Sequence, residues 1–172
     1  MDTIKNKNNI IYSLIIFSII SILAISSTSV NKDFVLRQFL WYIIGFIIIF
    51  LLRKTNIRKI LKHTLIIYII TNLLLLLLLI FGKEINGSKS WFLIPGIGSL
   101  QPSEFAKITL ILTNIWIIKN HKGKTFFDDF KLFLKVMLIT LIPSILTFLE
   151  PDTGMVIIYF LISFTMLFLY GI

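Results

Sequence analysis

Two charged side chains in a mainly apolar chain stand three residues apart, at Glu104 and Lys107. They belong to the string Gln101-Pro-Ser-Glu-Phe-Ala-Lys107, where helical spacing puts both charges on one face. An ionised side chain near the centre of a membrane helix costs roughly 2.5–3.5 kcal/mol, so such a charge points to function by default. Two interpretations stay open: an ion pair that caps the helix, or one wall of a polar cavity open to the outer leaflet.

A second pair of acids, Glu150 and Asp152, lies in the string Glu150-Pro-Asp-Thr-Gly154. They can cap the following helix and favour its dipole. Alternatively, two outward carboxylates could hold a divalent cation, Mg²⁺ or Mn²⁺, directly or through a diphosphate. No other cofactor is evident. The chain has no cysteine, which excludes a disulfide scaffold, a cysteine-ligated metal and a cysteine nucleophile.

The predicted helix that carries Glu104 and Lys107 begins at Pro102. Proline suits the first helical position, and Glu104 then lies in the first turn, where the helix dipole favours a carboxylate. The segment before it is rich in turn residues, and Gly96-Ile97-Gly98 is interpreted as a turn rather than a dinucleotide-binding loop.

Composition places these residues in a membrane protein. Hydrophobic residues make up 57% of the 172 residues and the mean hydropathy is +0.95. We predict an all-α fold, a polytopic helical bundle that forms one domain over residues 1–172. The six predicted transmembrane helices are 10–29, 34–52, 64–81, 102–118, 132–149 and 154–172. The net charge of +9 is divided among the loops, so we predict no nucleic-acid partner.

Three of the predicted spans have features of their own. The fourth is the most polar and is predicted to lie inside the bundle. The run of seven leucines from Leu73 to Leu79 in the third is predicted to face lipid all round. Pro143 in the fifth is expected to kink the helix and to free the carbonyl of Ile139.

The loops predict an orientation. Twelve lysines and arginines lie in the N-terminus and the loops at 53–63 and 119–135, against four in the alternate loops. The N-terminus is therefore predicted to be cytoplasmic, and the 82–101 loop and the Glu150 turn to face outward. Trp91 and Trp116 fall at the expected interfacial belts, and His121 is expected to be solvated or to face headgroups. The apolar C-terminus has no basic anchor, so a shortened chain is expected.

Three strings together resemble one family. Asn86-Gly-Ser-Lys-Ser-Trp91, Gln101-Pro-Ser-Glu-Phe-Ala-Lys107 and Glu150-Pro-Asp-Thr-Gly154, each at an outer helix entrance, resemble the SEDS family of shape, elongation, division and sporulation proteins. The Arg37-Gln38 opening of the second span fits as well. The serine at position 90, directly before Trp91, resembles the pattern of the rod-elongation branch, RodA.

The resemblance implies a peptidoglycan glycosyltransferase that polymerises lipid II at the outer face of the bacterial cytoplasmic membrane. Its substrates would be lipid II and an undecaprenyl diphosphate-linked glycan, and its partner a class B penicillin-binding protein. By resemblance Glu104 and Lys107 would line the central cavity together with Ser103, and Lys107 could meet the diphosphate charge. Trp91 and Gln101 would shape the outer loop.

The family's catalytic aspartate lies in a second half of further spans, and no residue here matches it. We therefore assign no catalytic residue in these 172 residues and expect them to be inactive alone. Two rival functions stay open: a transporter that flips the lipid-linked precursor, and a noncatalytic scaffold for cell-wall enzymes.

Overall fold

A computed structural model of the chain describes residues 2–28, 32–85, 87–94, 98–123 and 125–172. The chain divides into two units, residues 1–55 and 56–172. Asn86 of the first family string, and Gly96 and Ile97 of the predicted turn, lie outside the described residues.

The first unit is a pair of helices, α1 (Asp2–Thr28) and α2 (Lys32–Lys54), that pack against each other. Ser18 is buried between them, and its hydroxyl donates to the carbonyl of Leu14 at 2.7 Å. Because this hydroxyl is satisfied within its own helix, a polar side chain is tolerated in an apolar pair.

The described residues of the second unit form five helices and a small sheet. The short α3 begins after Asn56, whose side chain accepts a hydrogen bond from the backbone N–H of Arg58. The helices of this unit are α3 (Ile57–Lys62), α4 (Thr64–Phe81), α5 (Pro102–Lys119), α6 (Phe126–Leu149) and α7 (Thr153–Tyr170).

Three short antiparallel strands lie between α4 and α5, where the sequence had predicted only turns. They are β1 (Lys83–Ile85), β2 (Ser88–Ile94) and β3 (Gly98–Leu100), in the order β1-β2-β3. Gly87 has a φ of +82° before β2, a conformation that glycine adopts without strain. A Cβ on Gly82 would lie 2.7 Å from the carbonyl oxygen of Lys89, so glycine lets β2 approach the end of α4 closely.

Helix α5 contacts α4, α6 and α7, so the polar segment predicted to lie inside the bundle is packed against three helices, although on one face alone. One face is buried, with Ala106 and Leu110 in a cluster with residues of α4 and α7. The other face is open and carries Glu104, Phe105 and Ile108. The helix is therefore packed on one side only within this unit.

The prediction for the leucine run was wrong at two positions. Leu75 and Leu78 are fully buried, and together with Tyr68 and Thr71 they form the packed stripe of α4. These spacings of three and four residues are those of one helical face. Leucine suits both a lipid-facing and a protein-facing surface. In an unbroken leucine run, the residue types therefore do not indicate which face of the helix is buried.

Pro143 frees the carbonyl of Ile139, as predicted, and Tyr68 of α4 uses it. The hydroxyl of Tyr68 donates to the oxygen of Ile139 at 2.7 Å. Proline removes the donor that would otherwise reach this carbonyl. The hydrogen bond that α6 lacks at Pro143 is thus replaced by a hydrogen bond between α4 and α6.

Among the described residues, five helices are long and apolar enough to cross a membrane. They are Asn9–Thr28, Asp33–Lys54, Thr64–Phe81, Phe126–Leu149 and Thr153–Tyr170. The chain is thus a multi-pass, helical membrane protein, and the fold class is confirmed. The other predicted span, α5, forms as a helix but carries Glu104, Lys107 and Lys119.

Helix α6 begins six residues before the predicted span, because Thr125 and Asp128 form a capping box. The Thr125 side chain accepts from the N–H of Asp128, and the Asp128 carboxylate accepts from the N–H of Thr125.

Candidate functional site

Gln101 joins the starts of α5 and α7. It is the N-cap residue of α5, and its side-chain Nε2 donates to Oδ2 of Asp152 at 2.9 Å. Asp152 is the N-cap of α7, where its Oδ1 accepts from the backbone N–H of Met155 at 3.2 Å. One amide thus links two of the family strings, and the capping interpretation holds for Asp152.

The third string reaches the same place through β2. The hydroxyl of Ser88 donates to the backbone carbonyl of Glu150 at 2.6 Å, and that of Ser90 lies 3.4 Å from the same oxygen. The two serine hydroxyls are also hydrogen-bonded to each other. Residues 60 and 62 positions apart in sequence are therefore fastened together at the turn between α6 and α7.

The side chain of Glu150 is fully buried at this junction. Both carboxyl oxygens are without a hydrogen-bond partner among the residues that the structure describes. Burial, and to a lesser degree the nearby charge of Asp152, raises the pKa of Glu150 from 4.5 to about 8. Glu150 is therefore mainly neutral at pH 7, although the sequence had suggested an outward carboxylate.

This donor set does not suit a divalent cation. Mg²⁺ and Mn²⁺ need ionised, accessible oxygen ligands, whereas Glu150 is enclosed and Asp152 is already bonded to Gln101 and Met155. Within the described ranges no group of three histidines or acids is close enough to hold a metal. We derive no step through a metal at this junction.

Glu104 and Lys107 form an ion pair, with 2.7 Å between Oε2 and Nζ. The Glu104 side chain is 54% exposed and that of Lys107 is 25% exposed, so the pair lies on the open face of α5. In the described part of the chain, no hydrogen bond joins either of them to Gln101, Ser103 or Trp91. The pair and the Gln101–Asp152 junction are two separate polar groups near the start of α5.

Ser103 lies on the opposite, buried face of α5. Its carbonyl accepts a hydrogen bond from the hydroxyl of Tyr159 at 3.0 Å, and Tyr159 also lies 3.4 Å from the hydroxyl of Thr147. Ser103 therefore belongs to the packing between α5 and α7 rather than to the face that carries Lys107. Trp91 is half-buried in β2 and pairs with Lys83 of β1.

Several residues that build this junction were not singled out as site residues from the sequence. Ser88, Ser90 and Tyr159 fasten β2 and α5 to the last two helices. Ser88 and Ser90 stood inside a family string, which was a usable signal. No signal in the sequence pointed to Tyr159, because a tyrosine in an apolar span resembles any other large core residue.

A family model described as FTSW_RODA_SPOVE, cell cycle protein, matches residues 4–172. The chain is 33% identical over 171 residues to a probable peptidoglycan glycosyltransferase FtsW of Wigglesworthia glossinidia brevipalpis, covering 94% of this chain and 44% of that protein. It is 29% identical over 170 residues to peptidoglycan glycosyltransferase RodA of Treponema pallidum, covering 94% and 38%. The chain thus spans less than half the length of these relatives.

Two solved structures resemble the fold. The crystal structure of the rod shape determining protein RodA of Thermus thermophilus matches with a TM-score of 0.83 and 26% identity, over 95% of this chain and 53% of that one. A chain from a structure of a peptidoglycan synthase complex, described as coordinating polymerization and crosslinking, matches with a TM-score of 0.80 and 26% identity, over 95% and 47%. The likeness therefore extends over nearly all of this chain.

Proposed function

This chain belongs to the FTSW_RODA_SPOVE family of cell cycle proteins, and from that membership we propose that the protein is a peptidoglycan glycosyltransferase. It polymerises lipid II into glycan strands at the outer face of the bacterial cytoplasmic membrane. The names of the FtsW and RodA relatives support this activity. Ser90 before Trp91 supports the rod-elongation branch, and hence a role in cell elongation and shape.

The observation that carries the proposal is the convergence of the three family strings at one end of residues 56–172. Ser88 and Ser90 bond to Glu150, and Gln101 bonds to Asp152. These bonds hold the start of α5 in place, and Glu104 and Lys107 lie in its first two turns. A fixed helix start is what a site needs if one ammonium group is to meet a substrate at a defined position.

In the reaction a sugar hydroxyl oxygen bonds to an anomeric carbon as the bond from that carbon to the diphosphate oxygen breaks. The hydroxyl proton passes to a general base, a role that we assign to no residue of these 172. Lys107 stabilises the negative charge that grows on the departing undecaprenyl diphosphate. Glu104 acts through Lys107: the 2.7 Å ion pair holds the ammonium on the open face of α5. The Lys107 side chain is 25% exposed on that face, which leaves it within reach of a membrane-anchored diphosphate.

A class B penicillin-binding protein is the proposed partner. The structural neighbour described as a peptidoglycan synthase complex supports a partner of the cell-wall machinery. The open apolar face of α5 beside Glu104, with Phe105 48% exposed and Ile108 58% exposed, leaves surface for further contacts.

The test is a lipid II polymerisation assay on the protein as the cell makes it, with its transpeptidase partner. We expect Lys107→Ala to lower the glycan yield about a hundredfold, the usual effect of losing one group that stabilises transition-state charge. Lys119→Ala, at the other end of the same helix, is the matched control and should keep normal activity.

Normal glycan synthesis by Lys107→Ala, at an unchanged amount of protein in the membrane, would remove Lys107 from the site. Precursor flipping in liposomes without polymerisation, abolished by Lys107→Ala, would instead support the transporter.

A further inference from the structure

A pair of adjoining cavities lies at the other end of α5, where it meets the start of α6. Their volumes are about 330 and 280 Å³, and both are lined by His121, Lys122, Leu132 and Lys135. Trp116, Ile117 and Asn120 also line the first, and Gly123, Asp128 and Lys131 the second. At about 30 Å³ per water molecule, each could hold a group the size of a phosphate with its glycerol.

The lining carries a surplus of positive charge. Lys122, Lys131 and Lys135 line the cavities, and no salt bridge joins these three to a carboxylate in the part of the chain that is described. Two carboxylates face the same region, and both have protein donors. Asp128 accepts from the N–H and hydroxyl of Thr125, and Asp129 lies 3.2 Å from Nε2 of His121. The three ammonium groups are therefore available to an anion.

The surroundings place this surface at a membrane boundary rather than in free solution. Phe126, Phe127 and Phe130, in the first two turns of α6, are 78%, 73% and 50% exposed. Phenylalanines beside lysines are typical of helical segments that lie at the boundary between headgroups and acyl chains. The cavities lie where α6 starts its apolar span, so an anion that enters them can carry acyl chains along the helix.

We propose that the cavities lined by Lys122, Lys131 and Lys135 bind the phosphate headgroup of an anionic glycerophospholipid. Basic pockets between transmembrane helices commonly bind such headgroups. The lysines contact the phosphate, and Trp116 and Leu132 contact the glycerol and the first acyl carbons. This site is separate from the Gln101–Asp152 junction, since it lies at the opposite end of α5.

The test uses tryptophan fluorescence in proteoliposomes. The chain has three tryptophans, so Trp41→Phe with Trp91→Phe leaves Trp116 as the only reporter. Liposomes of phosphatidylcholine receive small fractions of brominated phosphatidylglycerol or of brominated phosphatidylcholine. Their acyl chains are the same, so the ratio of the two quenching constants measures preference for the anionic headgroup.

We expect Trp116 to prefer phosphatidylglycerol and K131Q/K135Q to lower that preference about 25-fold, since each lysine near a lipid phosphate contributes about fivefold. K83Q/K89Q, which removes two lysines from the strands, is the matched control and should keep it. K122Q alone should lower it about fivefold, which keeps the test valid if the double variant does not fold.

Three results would overturn the proposal. The first is no preference for phosphatidylglycerol in the parent protein. The second is an equal loss in K83Q/K89Q, which would show a general effect of net charge. The third is full removal of the preference by inorganic phosphate, which would show a site for a soluble anion.

Discussion

Replacing Glu150 by glutamine should make the protein more stable at alkaline pH, because this carboxyl is buried and has no hydrogen-bond partner among the described residues. Burial, helped by the charge of Asp152, raises its pKa from 4.5 to about 8. Below about pH 4.5 the carboxyl is neutral in the folded and unfolded states alike. As the pH rises from 4.5 to 8, ionisation favours the unfolded state, so stability is lost over that window.

The magnitude follows from the pKa. At about 1.4 kcal/mol for each pH unit, the change from 4.5 to about 8 corresponds to about 5 kcal/mol of lost stability above pH 8. For a chain of this size that is on the order of 10 °C in the unfolding midpoint. Glutamine has nearly the same shape and stays neutral, so Glu150→Gln should lack this loss.

The assay is thermal unfolding of the purified protein in detergent between pH 5 and 9. The difference in midpoint between Glu150→Gln and the parent should be small at pH 5 and should grow to its full value near pH 9. Glu84→Gln makes the same substitution at an exposed position of β1 and should follow the parent at every pH.

A difference in unfolding midpoint between Glu150→Gln and the parent that stays constant across this pH range would refute the argument. It would mean that the pKa of the carboxyl is the same in the folded and unfolded states. Stabilisation of the parent by Mg²⁺ at pH 8, absent in the variant, would show an ionised Glu150 that binds a cation.

Two further predictions concern the helices. Tyr68→Phe should destabilise the fold by about 1–3 kcal/mol, because it leaves the partly buried carbonyl of Ile139 without a donor. Tyr12→Phe at an exposed position is the control for the same thermal assay. The predicted orientation can be tested with single cysteines that replace Lys89 or Lys59 in this cysteine-free chain. A membrane-impermeant maleimide should label position 89 on intact cells, and position 59 only after the cells are permeabilised. The opposite pattern would invert the proposed orientation.

The sequence predicted the helices well because apolar length is a local property. Five predicted spans coincide with helices that can cross a membrane, and α5 begins at Pro102 as its proline indicated. The early start of α6 was readable in hindsight, since Thr125 and Asp128 have the spacing of a capping box. The strands were missed because their pairing depends on contacts between segments, and β2 lacks a regular alternation of apolar and polar residues.

The membership of the site stays a prediction, and its geometry was not predictable from the sequence. The family strings pointed to Gln101, Glu104, Lys107, Glu150 and Asp152 as candidates. No sequence pattern could show that Gln101 bonds to Asp152, or that Glu150 turns inward. Burial is set by the packing of helices far apart in the chain, and spacing within one segment carries no information about it.

The two serine bonds to the carbonyl of Glu150 also set an order of events during synthesis. Ser90 leaves the ribosome 60 residues ahead of its acceptor, and α5 and α6 are made in between. The hairpin of β1 and β2 therefore has to wait at the membrane surface until the turn after α6 arrives. Its bonds to that turn are among the last contacts to form in residues 56–172, and a nascent chain stalled before Glu150 would hold the hairpin by its contacts with α4 and α5 alone.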